Sequence, residues 1–208
     1  MELATPTPRA VPVPPAGGWT ASARNAFVHL RHGPDRLLHR FRRSAALARL
    51  RAEPLPTSIL FVCEGNIFRS PFAVGAVEAV LPEEVRVAVR LSSAGFTGPG
   101  RGTPAPALDA ALRRGVDLAA HRSALVSHAA VYGACLIVVM EPRQKWRLRM
   151  RFGVRGERVL VMGDLDPLPI PTRGIVDPWR ADELVLERAY DRVERCARTL
   201  AEALSADV

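Results

Sequence analysis

Short apolar runs recur along the chain, separated by longer stretches in which apolar residues repeat at helical spacing. Residues 59–62 and 135–140 are almost wholly apolar and partly β-branched, too brief for helices and suited to strands buried on both faces. Residues 159–162 form a further run of the same kind. Val85, Val87, Val89 and Leu91 alternate with Arg86, Ala88 and Arg90, which predicts a strand with one more polar face, hence an edge strand, closed by Ser92-Ser93-Ala94-Gly95. Helical spacing covers residues 72–81, stopped by Pro82. It recurs over 104–115, with Leu108, Ala111 and Leu112 inward and a glycine at the end, over the strongly basic 142–152, and over 181–204. In the last of these Leu184, Leu186, Ala189, Tyr190, Val193, Cys196 and Leu200 supply an apolar side. Strands alternating with helices imply right-handed β-α-β units, so the predicted class is α/β: a four-stranded parallel sheet flanked by helices, with the ligand beyond the strand C-termini.

The N-terminal part differs. Residues 1–18 are rich in Pro and Gly with little to bury, so disorder is expected. From Gly33 a helix is predicted with Leu37, Leu38, Phe41, Ala45 and Ala48 on one stripe and Arg36, Arg40, Arg43 and Arg49 elsewhere, and Pro54-Leu55-Pro56 ends it as a linker. Two readings of this basic amphipathic helix stand open. Its apolar side packs on the domain or on a second copy of itself, or the helix makes weak contact with an anionic membrane or an acidic partner. The expected organisation is therefore a tail and helix over 1–56, holding no group the chemistry requires, and one domain over 57–208.

Composition sharpens this. The 208 residues are 48% hydrophobic and 24% charged, enough for one domain with a core. Of the net charge of +8, residues 1–56 hold 9 Arg against 3 acids, leaving 20 basic and 18 acidic residues after them. A nearly neutral remainder argues against a nucleic-acid binder. There is no apolar run of membrane-spanning length and no signal-peptide core near the start, so a cytoplasmic location is expected. Cys63, Cys135 and Cys196 are odd in number and scattered, which suits reduced thiols, and no two His or Cys have metal-ligand spacing, so no cofactor is expected.

The chemistry concentrates in one stretch, Ser-Ile-Leu-Phe-Val-Cys-Glu-Gly-Asn-Ile-Phe-Arg-Ser-Pro, from Ser58 to Pro71. A strand leads to Cys63, a loop containing Gly65 and Asn66 tolerates left-handed backbone, and Ser70-Pro71 opens a helix with Ser at a capping position. A strand, loop and helix N-terminus aim backbone N–H groups and the positive end of a helix dipole at one point, an anion site whose field also stabilises a thiolate. Arg69 adds a planar fork for two phosphate oxygens.

With Cys-x-Gly-Asn-Ile-x-Arg-Ser-Pro following an apolar strand, the sequence resembles the low-molecular-weight protein tyrosine phosphatase family from about residue 58 to 204. The resemblance implies the same four-stranded sheet and hydrolysis of phosphotyrosine through a phosphocysteine intermediate. It implies a phosphate-binding loop of Glu64, Gly65, Asn66, Ile67, Phe68, Arg69 and Ser70 around Cys63. The downstream Asp177-Pro178 matches the family's general acid, which then serves as base for water. Asn66, Ser93 and His121 match a hydrogen-bonded brace for the loop, and Ser70 the hydroxyl that stabilises the thiolate. The partner implied is a phosphotyrosine-containing protein, for instance a bacterial tyrosine kinase; the oligomeric state stays open.

Departures from the family pattern define further expectations. Phe68 stands where a second cysteine is frequent. Glu64 sits on the pocket rim, where it either repels a phosphoester or points to solvent. Trp179 keeps an aromatic wall after Asp-Pro, Phe96 is the only aromatic left in the loop opposite, and Glu141 replaces a commoner Asp. Three alternatives remain. A phosphoarginine phosphatase typically has Thr at the Ile67 position. An arsenate reductase of this fold needs relay cysteines that Cys135, inside an apolar strand, and Cys196 do not supply. A non-catalytic phosphoprotein-binding module is the third, against which Cys63, Arg69 and Asp177 all speak.

Overall fold

β1 (Ser58–Cys63) is buried along its whole length, as its unbroken apolar run requires. In the computed structural model, which describes residues 33–206, β1 pairs in parallel with β2 (Arg90–Gly95) on one side and β3 (Leu136–Val139) on the other. β4 (Val159–Val161) follows β3, giving a four-stranded sheet in the order β2-β1-β3-β4. The expected Pro-rich disordered segment lies outside the described residues. Because strand side chains alternate between faces, Ile59, Phe61 and Cys63 enter one apolar layer while Leu60 and Val62 enter another. The first layer is covered by α1 (Gly33–Ala52), α2 (Arg69–Glu78), α3 (Glu83–Ala88), α4 (Ala105–Leu112) and α7 (Glu183–Leu204). The second is covered by α5 (His128–Tyr132) and α6 (Pro142–Phe152). A fully buried aromatic such as Phe61 or Phe72 is worth about 3–5 kcal/mol against truncation to Ala, so this two-sided burial fixes the register of β1 and the position of its last residue. Among the described residues no helix is long and apolar enough to cross a membrane.

Four expectations are corrected. The alternating segment 85–91 is not a strand: α3 occupies most of it and β2 starts only at Arg90. Pro82 at the N-cap and Glu83-Glu84 in the first turn favour a helix start, and the buried valines are Val85 and Val89, four apart, while Val87 is 75% exposed. Ser92-Ser93-Ala94-Gly95 is therefore the body of the edge strand. In α4 the inward residues are Ala107, Ala110 and Ala111, Leu112 is exposed and Leu108 only partly buried, so small side chains bring the helix close to its neighbours. Cys135 precedes β3 and is exposed, with Thr57 Oγ1 3.3 Å from its sulfur.

The fourth correction concerns α1. It does pack on the domain, but through His39, Ala46 and Leu50, and the stripe of Leu37, Leu38, Phe41, Ala45 and Ala48 faces outward. Polar partners decide the rotation. His39 Nε2 donates to the Asp166 carbonyl at 2.9 Å, and Asp35 Oδ2 accepts from the Arg173 N–H at 3.3 Å.

Candidate active site

Cys63 ends β1, and the chain leaves the sheet through a loop whose turning point is Asn66, at φ 51° in the left-handed region that Asn tolerates. The loop presses against the end of β2: a Cβ on Gly95 would lie 2.8 Å from Asn66 N and 2.9 Å from the Glu64 carbonyl oxygen, so glycine is required there. The Glu64 carbonyl accepts from Phe96 N (2.8 Å) and Thr97 N (3.1 Å). Asn66 is fully buried and held by three segments. Its Nδ2 donates to Ser70 Oγ (2.9 Å) and Ser93 Oγ (2.8 Å), its Oδ1 accepts from Ala124 N (2.8 Å), and its carbonyl accepts from His121 Nε2 (2.7 Å). A left-handed non-glycine residue costs about 1–3 kcal/mol. Hydrogen bonds worth about 1 kcal/mol each offset that. Asn66, Ser93 and His121 are thus joined by hydrogen bonds.

Two donors point at the 2% exposed sulfur: Asn66 N at 3.2 Å and Ser70 Oγ at 3.0 Å. Both stabilise negative charge on it, as does the N-terminus of α2, which begins at Arg69. Ser70 is not the helix cap that its sequence position predicts. Phe68 occupies the N-cap without a side-chain bond, and the Ser70 hydroxyl is committed to sulfur. The stack of Phe72 on Tyr190, centroids 3.9 Å apart, holds α2 against α7 behind the loop. Burial and the neighbouring Cys63 charge push the Tyr190 phenol up, so it stays neutral.

Arg69 is 1% exposed, and its guanidinium is shared among three groups. Nη1 donates to Glu141 Oε1 (2.7 Å) and to the Ile175 carbonyl (2.9 Å), and Nη2 forms a close ion pair with Asp177 Oδ2 that lacks hydrogen-bond alignment. Nε and Nη2 therefore keep N–H groups with no hydrogen-bond acceptor among the described residues. Those two atoms form the outer edge of the fork, the edge that grips an oxyanion pair. Glu141 does double duty: with Gln144 it forms the capping box that starts α6. Asp177 Oδ1 accepts from Trp179 N at 3.3 Å, and the Trp179 ring meets Phe68 edge-on at 6.3 Å. Cys63, Ile67, Phe68, Thr97, Asp177 and Trp179 line a cleft of about 170 Å³, with a thiol at one end and aromatic walls.

Three side chains at the rim carry contacts that the sequence did not reveal. Glu64 neither threatens the pocket with a bare charge nor points freely to solvent: Arg147 Nη1 donates to Glu64 Oε2 at 2.6 Å. The Arg147 guanidinium lies 3.9 Å from the Phe96 ring centroid, and Phe96, buried beneath it, is no pocket wall. Arg101 ties Gly65 to the loop after β2, donating to the carbonyls of Gly65 (3.0 Å), Thr97 (3.0 Å) and Gly98 (2.8 Å). In a chain with 28 Arg and one Lys, nothing local singles out Arg101 or Arg147.

The other thiols stand apart. Cys135 adjoins Ser58 at the opposite end of β1 from Cys63, about 16 Å along a six-residue strand. Hydrogen bonds from Thr57 and Ser58 hold its thiol below the ordinary range. Cys196 is buried in α7 and pushed up to about 12, chiefly by burial.

Comparison with known proteins agrees with this geometry. A family model described as "Low molecular weight phosphotyrosine protein phosphatase" matches residues 58–208. The "Low molecular weight protein-tyrosine-phosphatase Wzb" of Escherichia coli (strain K12) is 33% identical over 153 residues, covering 72% of this chain and 97% of that one. The crystal structure of the Erwinia amylovora tyrosine phosphatase AmsI superposes with a TM-score of 0.64 at 25% identity, covering 72% and 94%. The YwlE arginine phosphatase from Geobacillus stearothermophilus gives a TM-score of 0.63 at 27% identity, covering 73% and 95%.

Proposed function

The chain belongs to the low molecular weight phosphotyrosine protein phosphatase family, and we propose that it hydrolyses phosphotyrosine on proteins with Cys63 as nucleophile, Arg69 as phosphate clamp and Asp177 as proton donor. The observation that carries the assignment of roles is that a sulfur holding two donors and the Asp177 carboxylate line one cleft, while that carboxylate is ion-paired with the buried Arg69 guanidinium, whose Nε and Nη2 have no hydrogen-bond acceptor among the described residues. The Cys63 thiolate attacks phosphorus as the P–O bond to the phenol breaks. The departing oxygen takes its proton from the Asp177 carboxyl, leaving phosphate on sulfur. Water then attacks that phosphorus, its proton passes to the Asp177 carboxylate, and the S–P bond breaks to release inorganic phosphate and the thiolate. Developing charge on the equatorial oxygens meets Arg69 Nε and Nη2 and the loop N–H groups.

Ile67, in the cleft wall, supports phosphotyrosine over phosphoarginine, given the Thr typical of that branch. Neither Cys135 nor Cys196 is placed to relay electrons to Cys63, which speaks against an arsenate reductase. The partner is a phosphotyrosine-bearing protein in the cytoplasm, of which a bacterial tyrosine kinase is the proposed example. The outward face of α1, with Leu37, Leu38 and Phe41 exposed beside basic Arg36 and Arg40, suits an anionic membrane surface.

Cys63→Ser tests the central role. It should abolish turnover of 4-nitrophenyl phosphate while leaving the fold intact by circular dichroism, since an alcohol is far less ionised than a thiol at neutral pH. Retained turnover would refute nucleophilic catalysis by Cys63.

A further inference from the structure

The segment that delivers Asp177 leaves β4 through a 3-10 turn (Met162–Leu165), runs outward through Pro167, Pro169 and Pro171, and returns at Arg173. Its base is tied from one side by α7. Arg192 Nε donates to Asp166 Oδ2 (2.9 Å) and Arg192 Nη1 to the Gly174 carbonyl (2.8 Å), and Arg195 adds a second grip on Asp166. From the other side it is tied by α1: His39 Nε2 donates to the carbonyl of Asp166, and Asp35 Oδ2 accepts from the N–H of Arg173. Arg42 Nη1, 3.0 Å from Asp35 Oδ1, orients that carboxylate, and the Arg173 side chain is held by Asp164. The ends close tightly, for a Cβ on Gly163 would lie 2.0 Å from the Arg173 carbonyl oxygen.

Beyond Arg173 the chain has little slack before the chemistry. Ile175 N donates to the Met140 carbonyl at 2.9 Å, the Ile175 carbonyl accepts from Arg69, and Asp177 follows. A shift at Arg173 that carries Ile175 with it would also move the Arg69 contact and the carboxyl group that must reach the leaving oxygen. α1 lies outside the residues matched by the family; its apolar anchors are Ala46, Leu50 and the half-buried Leu47, and the hydrogen bonds of His39 and Asp35 run to this loop. We propose that α1 is a positioning element for the general-acid loop: His39 and Asp35 close the loop at Asp166 and Arg173 and so set where Asp177 stands. This deepens the reading of Asp177 as the acid and rests on it.

The test compares full-length His39→Leu, which removes the donor, with His39→Gln, which keeps one, on phenyl phosphate and on 2,4-dinitrophenyl phosphate. The first substrate needs a proton on its leaving oxygen and the second does not. His39→Leu should lower kcat/KM about tenfold on phenyl phosphate and less than twofold on the dinitrophenyl ester, because kcat/KM reads the steps up to transfer of the phosphoryl group to Cys63, before Asp177 acts as base, and a misplaced acid harms there only the protonated departure. His39→Gln should recover most of the loss. Amide hydrogen exchange over residues 166–177 should accelerate in His39→Leu with β1 unchanged, a readout independent of turnover. Should His39→Leu not fold, Asp35→Ala, at the start of α1, which removes the acceptor for the Arg173 N–H, supports the same comparison. Equal losses on both substrates, or unaltered rates and exchange, would overturn the proposal and leave α1 as mere packing. If Asp177→Ala itself shows no leaving-group dependence, the acid assignment is at fault, and the exchange measurement alone decides whether α1 holds the loop.

Discussion

Replacing Arg147 by Met should raise KM for an aryl phosphate about fivefold at low salt, and adding Glu64→Gln in the same molecule should return it close to the starting value. Glu64 directly follows Cys63, so its carboxylate stands on the order of 7 Å from a phosphorus bonded to that sulfur. Two unit charges at that distance interact by roughly 0.6–2.4 kcal/mol for effective dielectrics between about 80 and 20. Arg147, 2.6 Å away, cancels most of that field, and the pair is 34% and 29% exposed, so the lower half of the range applies. About 1 kcal/mol corresponds to about fivefold in affinity. Met keeps an apolar, polarizable cover over Phe96 and removes the charge alone. Glu64→Gln alone leaves Arg147 uncompensated and should lower KM. Steady-state kinetics at about 0.05 and 0.5 M salt read all three variants, and the differences should shrink in high salt as screening takes over. The reasoning fails if both single variants shift KM in the same direction, or if the double variant is as impaired as Arg147→Met.

Asp177→Ala should lose on the order of 10²–10⁴ in kcat/KM with phenyl phosphate and much less with 2,4-dinitrophenyl phosphate; equal losses in kcat/KM would show that the residue only shapes the cleft. For the outward stripe of α1, co-sedimentation with vesicles rich in phosphatidylglycerol should fall at least several-fold in a Leu37→Gln, Phe41→Gln double variant and vanish with neutral vesicles. Binding that survives the double variant would transfer the role to another surface, and binding only to an acidic protein would replace lipid as the partner.

What could be read from the sequence was what is decided locally. β1, the turn at Gly65 and Asn66 and the start of α2 follow one another within a single stretch, so the proposed nucleophile and clamp were visible before any long-range contact was known. The four-stranded parallel sheet followed from periodicity and order. What escaped depends on which of two local preferences the tertiary structure rewards. Residues 83–91 offer both a strand alternation and a capped helix turn, and burial of Val85 and Val89 together chose the helix. α1 has a convincing apolar stripe, yet hydrogen bonds from His39 and Asp35 to a distant loop turned that stripe outward. No periodicity encodes such a choice. Glu64 was misjudged for the same reason, since its neutralising partner lies 83 residues further along the chain.

Arg69 shows why a motif identifies a residue without describing its state. The six-residue spacing from Cys63 to Arg69 explains its place, but its guanidinium is oriented by Glu141, 72 positions away, and by the Ile175 carbonyl, 106 positions away. Asp177 contacts the same guanidinium, so the proposed phosphate clamp and the proposed proton donor are held against each other. Removing either disturbs the geometry of the other, and their contributions to rate cannot simply add. The loop that carries Asp177 is in turn closed on one side by α7 and on the other by a helix outside the matched domain. On the proposed roles, placement of the acid depends on the chain from Asp35 onward, whereas stabilisation of a thiolate at Cys63, resting on Asn66, Ser70 and the start of α2, depends on one short loop.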